Sequence, residues 1–449
     1  MIKPGIPKGT RDFGPVVVRK RNYIFQTIRE TFEVFGFQPL ETPAMENLST
    51  LTGKYGEEGD KLMFKVLNNG EIFTEAHAAK DNKELISAIT EKALRYDLTI
   101  PFARYVVMNR NDLALPFKRY QMQPVWRADK PQKSRYREFY QCDADVVGSN
   151  SLINEVELLL IYDTVFTKLG LEGYELRINN RKILSGLAEV IGKSELLTDI
   201  TISIDKLDKI GADGVRKELQ ERGLTNEDIN TIEQFLAIGG TSEEKLAKLK
   251  DLLQSSATAL KGIEELSFVL NSGYGNFNTT PVIDVTLARG LNYYTGMIVE
   301  VKAPAKVAIG SIGGGGRYDD LTGLFGLKDI SGVGISFGVD RIYDVLEELQ
   351  LFPEAAQQST RVLFLNLGEA SARRAFSYMM QLRAKGIAAE LFHENSKMDK
   401  QMKYADKRGI PYVVILGESE LQENMVSLKN LTNGQQEKIG ADALLAFSF

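Results

Sequence analysis

Cysteine and histidine are nearly absent from this chain of 449 residues. Cys142 is its only cysteine, and His77 and His393 are its only histidines. Neither a disulfide framework nor a Cys/His zinc site can therefore be assembled. Any metal must be held by oxygen ligands, as Mg2+ is when it accompanies a nucleotide. Long apolar runs are missing too. None approaches the roughly 20 residues that span a bilayer, and MIKPGIPKGTRDF has no signal-peptide apolar region. The expectation is a cytoplasmic protein without membrane contact. Basic excess is the third absence: the formal net charge is -5. Such a chain does not coat nucleic acid nonspecifically, so any RNA contact must be local. What is plentiful is apolar content, 43%, which over this length supports about two to four domains.

The most informative stretch is residues 125–148, VWRADKPQKSRYREFYQCDADVVG. Strand-like runs at 120–126 and 137–148 flank a polar loop holding Lys130, Pro131, Lys133 and Arg135, which predicts a long antiparallel hairpin. On this reading Arg127 and Asp129 lie opposite Glu138 and Phe139. Side chains two apart on a strand share a face, so Arg127 pairs with Asp129, and Phe139 with Gln141, Asp143 and Asp145. A fixed guanidinium suits a phosphate, a ring suits a base, and acidic and amide groups suit a small polar substrate. A solvated hairpin with cross-strand ion pairs fits the same pattern.

This stretch resembles motif 2 of the class II aminoacyl-tRNA synthetases, and RYREFYQCDADVVG resembles the version found in the histidyl-tRNA synthetase family. Other segments extend the resemblance in the family's order. After Pro15, Val17, Ile24, Ile28, Phe32 and Phe35 recur at helical spacing up to Gly36, and FGFQPLETPAMEN then reads as a strand ending at Pro43. The pair resembles motif 1, which implies a homodimer interface; a helix packed only within its own domain has the same periodicity. In ALRYDLTIPFARYV, Asp97 and Thr99 are expected two apart on a strand, facing one side. There they either take an α-ammonium or bond nearby backbone. The resemblance assigns them to the amino group of L-histidine.

A helix is expected over 151–169, closed by Gly170. Beyond Arg181 short helical segments follow, with a capping box at Thr225 and Asp228. They read as a helical insertion, which either contacts the tRNA acceptor arm, as the resemblance implies, or serves only the fold. LARGLNYYTG resembles the signature of the histidyl enzymes. It implies that Arg289 joins Arg127 on the α-phosphate, with Asp145 and Tyr294 meeting the imidazole and Gln141, Tyr293 and Tyr318 completing the histidine site. Asn292 stands where the family most often has Asp, which removes one charge. GSIGGGGRYDDL lets backbone approach a ligand closely but has neither Walker A nor Rossmann spacing. ISGVGISFGVDRIYDVL resembles motif 3, where Arg341 would hold the γ-phosphate. Asp129 and Phe139 complete the ATP site implied by the resemblance, Phe139 by stacking the adenine.

Residues 352–360 read as a linker. Beyond them strand and helix alternate, at 362–367, 372–384, 388–391, 397–408 and 412–416, which implies a separate α/β domain. It resembles the family's anticodon-binding domain. Lys397, Lys400, Lys403, Lys407 and Arg408 crowd its second helix, as an RNA-facing or merely solvated face.

The expected fold is α+β. An antiparallel-sheet catalytic domain (1–170 and 276–351) carries a helical insertion (171–275) and a C-terminal α/β anticodon-binding domain (361–449). The implied reaction is ATP-dependent ligation of L-histidine to its tRNA through histidyl-adenylate, with Mg2+ on the nucleotide and no metal site of the protein's own. Two other readings use the same fold. A regulatory paralogue that senses histidine lacks the anticodon domain, and the 362–416 pattern argues against it. A tRNA-sensing pseudoenzyme conflicts with the three phosphate arginines.

Overall fold

The computed structural model describes residues 3–53, 56–70, 76–77, 79–271, 273–288, 293–356 and 360–449. The chain divides into two compact units, Met1–Gly14 with Arg21–Leu351, and Pro15–Lys20 with Phe352–Phe449.

The first long helix is Pro15–Val34, with Pro15 at its first position, where a missing N–H costs nothing. Ile24, Ile28 and Phe32, spaced by four, are fully buried along one stripe. The helix stops where the sequence predicts. Gly36 has φ 80°, its N–H donates to Glu33 O (3.0 Å), and the Phe37 N–H donates to Phe32 O (3.0 Å). This is a Schellman closure, sealed by the Phe32 and Phe37 rings at 6.2 Å.

Among the described residues the first unit contains an eight-stranded and a three-stranded sheet. The small one is formed by β2 (Met45–Asn47), β3 (Lys65–Val66) and β4 (Lys92–Leu94). The large one uses β1 (Gln38–Pro39), β5 (Phe117–Trp126), β6 (Glu138–Val147), β7 (Glu175–Asn180), β8 (Val282–Ile283), β9 (Met297–Lys302), β10 (Ser311–Arg317) and β11 (Gly332–Gly338). Its order is β1-β5-β6-β11-β10-β9-β7-β8. The inner pairs are antiparallel, and only the outermost pairs, β1 with β5 and β7 with β8, are parallel.

The central hairpin is as long as expected but its register differs. Trp126 faces Glu138 and Val125 faces Phe139, while Arg127 has left the strand and its N–H bonds Arg137 O (2.9 Å). The glycine cluster forms strand β10. Close packing explains its composition: a Cβ on Gly315 would lie 2.1 Å from Gly334 O, and one on Gly313 2.7 Å from the Tyr162 ring.

Helix Ile153–Lys168 packs on the sheet and ends at Gly170 by the same closure as the first helix. The buried Tyr162 hydroxyl donates to Gly314 O (3.0 Å) or Ser336 O (2.8 Å). Arg317 and Glu155, both buried, form a two-point pair at 2.5 and 2.7 Å. Glu155→Ala leaves this guanidinium only the longer contact to Asp319 (3.2 Å) and two backbone carbonyls, and we expect a loss of up to about 3–5 kcal/mol, read as a lower denaturant midpoint.

The insertion boundary at 171 requires correction. Residues Glu175–Asn180 form β7 and pair with β9, so the helices begin at Arg181. They continue to Asn271. Thr225 caps its helix reciprocally: its N–H donates to Asp228 Oδ2 (2.9 Å) and its hydroxyl accepts from the Asp228 N–H (3.2 Å).

The second unit holds a five-stranded sheet among its described residues. Strands β12 (Val362–Phe364), β13 (Ala389–Leu391) and β14 (Tyr412–Ile415) are parallel neighbours; β15 (Met425–Asn430) and β16 (Gln436–Gly440) extend the sheet antiparallel. Helices Glu369–Ala384 and Met398–Lys407 lie between the first three strands in sequence. Part of the 352–360 linker, 357–359, lies outside the described residues.

Candidate active site

The site grows from β6, β10 and β11. On β6 the alternating residues Phe139, Gln141, Asp143 and Asp145 present one face, as the period of two requires. On β11, Ser336 lies opposite Asp143 and Gly334 opposite Asp145. A Cβ on Gly334 would sit 2.0 Å from Asp145 Oδ1, so glycine there opens room for the carboxylate.

Two cavities occupy this face. The larger, ≈ 450 Å³, is bounded by Arg127, Asp129, Phe139, Gln141 and Arg341, with Arg135, Gly313, Ser336 and Asp340. The smaller, ≈ 60 Å³, is bounded by Asp97, Thr99, Gln141, Asp143, Asp145, Tyr293, Tyr294 and Tyr318. Arg127, Gln141, Gly314 and Ser336 line both, which makes them the shared wall.

In the larger cavity the Arg127 guanidinium stacks against the Tyr96 ring at 4.3 Å and approaches the Phe139 ring at 5.2 Å. Its Nε donates to Tyr96 O (3.0 Å). Arg341, in the first turn of helix Val339–Glu348, donates to Ser134 O (3.2 Å) and Ser311 O (2.6 Å). Asp129 accepts from Arg135 at 3.0 Å. The floor is set by buried Asp340, which holds Arg11, Arg21 (2.5 Å) and the Tyr140 N–H (3.2 Å).

The smaller cavity is lined by buried acid. Asp97 and Thr99 both border it, but not through strand alternation. Thr99 opens helix Thr99–Met108, and Asp97 Oδ1 accepts from the Ile100 N–H (3.2 Å). The correction has a physical cause: the apolar run around Pro101 is short, and an acidic residue before it caps a helix start. Deeper in, Asp145 accepts from the Tyr318 hydroxyl and lies 2.9 Å from Arg119 Nη2. Burial pushes the Asp143 and Asp145 carboxyls above the usual range, while Arg119 pulls them back. Burial also raises the Tyr294 and Tyr318 hydroxyls, and Asp145 adds to both shifts.

The structure thus brings together Asp97, Thr99, Arg127, Asp129, Phe139, Gln141, Asp145, Tyr293, Tyr294, Tyr318 and Arg341. Arg289 and Asn292 lie outside the described residues. Sequence reasoning did not assign Arg119, Asp143 or Ser336. Asp143 was legible from its alternation with Gln141 and Asp145; Ser336 and Arg119 emerge only from the strand register.

Residues 84–342 match the family model for histidyl-tRNA synthetase. The chain belongs to the histidyl-tRNA synthetase family. Residues 361–447 match the anticodon binding domain. The histidine–tRNA ligase of Christiangramia forsetii is 58% identical over 98% of both chains, and that of Bacteroides fragilis strain YCH46 is 57% identical over 99% of this chain and 98% of its own. Among solved structures, the histidyl-tRNA synthetase from Nostoc sp. PCC 7120 shares 32% identity with TM-score 0.83, covering 99% of this chain and 98% of that one. Membership in the histidyl-tRNA synthetase family fits the class II sheet described above, and no described helix is long and apolar enough to cross a membrane.

Proposed function

We propose that the larger cavity takes ATP and the smaller takes L-histidine, and that their shared wall is where the amino-acid carboxylate meets the α-phosphorus. The overall activity, ATP-dependent ligation of histidine to tRNA, is that of the family; the regulatory-paralogue reading is not favoured. The observation that carries the assignment is Arg127, which lines both cavities. Histidine attacks the α-phosphate to give histidyl-adenylate and pyrophosphate, and a terminal ribose hydroxyl of the tRNA then takes the acyl group. No protein nucleophile is needed, so catalysis is positioning and charge stabilisation.

Arg127 and Arg289 neutralise the α-phosphate, Arg341 the γ-phosphate, and Phe139 stacks the adenine. Asp97 and Thr99 take the α-ammonium, and Asp145 and Tyr294 the imidazole. The described residues contain no cluster of three or more His, Cys, Asp or Glu that could hold a metal, and Asp129 and Asp340 in the larger cavity are engaged by arginines. Mg2+ would enter with the nucleotide and would supply charge neutralisation to its phosphates. Histidine-dependent pyrophosphate exchange tests the reading, and exchange that proceeds without histidine would overturn it.

The C-terminal domain is proposed to grip tRNA. Lys397, Lys400, Lys403 and Lys407 are exposed on helix Met398–Lys407 and its cap. Deleting residues 360–449 is expected to spare pyrophosphate exchange and sharply weaken charging. Replacing Lys400, Lys403 and Lys407 should flatten the salt dependence of tRNA binding, by roughly 0.7 to 0.9 in log–log slope for each phosphate left without its lysine. An unchanged slope would make them a solvated face.

We also propose a homodimer through the first helix and β1, supported by exposed Val16 and Val18 and by the motif 1 resemblance. Sedimentation equilibrium at the mass of one chain would exclude it.

A further inference from the structure

Asp143 is the one carboxylate of the smaller cavity that has no role so far. It is 3% exposed and lines the cavity between Gln141 on the shared wall and Asp145 at the Tyr318 end. Ser336 lies opposite it in the strand register, and Ser336 Oγ accepts from Gln141 Nε2 at 3.0 Å. Its Oδ1 is buried without a hydrogen-bond partner among the described residues. A buried carboxylate oxygen with an unmet acceptor position is costly unless a ligand completes it.

The charges around it specify what that ligand brings. Asp97, Asp143 and Asp145 line the cavity, with Arg127 at the shared wall. Arg119 lies beneath, on β5, directly opposite Asp145 in the register. Arg119 is within ion-pair distance of Asp145, so its charge is already matched. Among the described residues Asp97 and Asp143 thus border the same space as two carboxylates. Tyr293, Tyr294 and Tyr318 line the same space. Asp97 lies close enough to Asp143 to raise its carboxyl further, so a cation seated between them would answer both.

We propose that Asp143 is a second carboxylate, alongside Asp97, that binds the α-ammonium of the amino-acid substrate, with its Oδ1 accepting an N–H of that group. Residues two apart on a strand are about 7 Å apart. With the ring at Asp145 and the reacting carboxylate at the Arg127 and Gln141 wall, the α-carbon lies near the middle position, which Asp143 occupies. Site selection thus extends to the amine as well as the imidazole. An amino acid lacking the ammonium would leave the buried Asp143 Oδ1 without a donor.

This inference rests on seating the amino acid in the smaller cavity, and the experiment separates the two. Kd values for L-histidine and for 3-(imidazol-4-yl)propionate, which lacks the amine, are measured on the full chain and on Asp143→Asn, Asp143→Ala and Asp97→Asn. ATP affinity and melting temperature are measured alongside to verify the fold. The alanine variant removes the carboxylate and its repulsion with Asp145, so it provides a folded alternative if the amide does not. The expected result is histidine binding weakened about 10- to 100-fold in the Asp143 variants, propionate binding changed less than about threefold, and the preference for the amine reduced by the same factor. If Asp97→Asn weakens histidine and neither Asp143 variant does, the inference fails while the cavity assignment stands. If none of the three weakens histidine, the cavity assignment itself fails. A loss shared equally by histidine and the propionate would place Asp143 at the ring and overturn the ammonium role.

Discussion

Arg127→Ala is expected to slow single-turnover adenylate formation by about 100- to 1,000-fold, roughly 3 to 4 kcal/mol of barrier, with little change in histidine affinity. The charge that Arg127 meets develops mainly in the transition state, so its removal acts on rate before binding. The structure supplies the preorganisation that such an effect needs. The guanidinium is stacked on Tyr96 at 4.3 Å and oriented by its Nε bond to Tyr96 O at 3.0 Å. Lysine at this position keeps the charge but loses the planar stacking and that directional bond, so Arg127→Lys should recover only part of the rate. On the family resemblance, Arg289→Ala should behave like Arg127→Ala. Adenylation within tenfold of the parent in both alanine variants would remove their assigned role.

Asp145→Asn is expected to raise the Michaelis constant for histidine and to erode discrimination against ring analogues, while ATP affinity barely moves. A pocket that must hydrogen-bond the ring rejects analogues by about 10,000-fold, whereas an apolar pocket of similar size manages about 10- to 200-fold. Asparagine is the informative substitution because of what surrounds the side chain. Asp145 is 3% exposed, accepts from Tyr318, and balances Arg119, which is itself fully buried. Alanine would strand that guanidinium and cost about 3–5 kcal/mol of stability, which confounds binding with folding. Asparagine removes the charge too, but it keeps the shape and an amide oxygen that can accept from Arg119 or Tyr318, so it costs less stability than alanine. Histidine and ATP titrations on an asparagine variant with unaltered melting temperature decide the matter. Normal histidine affinity there would sink the recognition role.

Local chemistry explains which parts of this protein were legible from its sequence. Gly36 and Gly170 marked helix ends because a left-handed closing residue is a property of a few adjacent atoms. The capping box at Thr225 and Asp228 is equally local. Alternation on β6 placed Phe139, Gln141, Asp143 and Asp145 on one face before any partner strand was known, since a period of two belongs to the strand itself. The run around Asp97 and Thr99 misled for the complementary reason. A short apolar segment carries no decisive period, and the helix from Thr99 is held by packing of Ile100, Phe102 and Val106, all buried, against distant residues.

The amino-acid sequence by itself determined the family, the α+β class, the order of the motifs and the face on which β6 presents its side chains. Tertiary structure alone decided which strands meet. It set β6 against β11, so that Ser336 met Asp143 and Gly334 cleared space for Asp145; it placed Arg119 under the carboxylates and drew β7 out of the supposed insertion into the large sheet. These outcomes depend on pairings between residues far apart along the chain. Strand register is chosen by the burial of whole faces at once, not by any one segment's propensity.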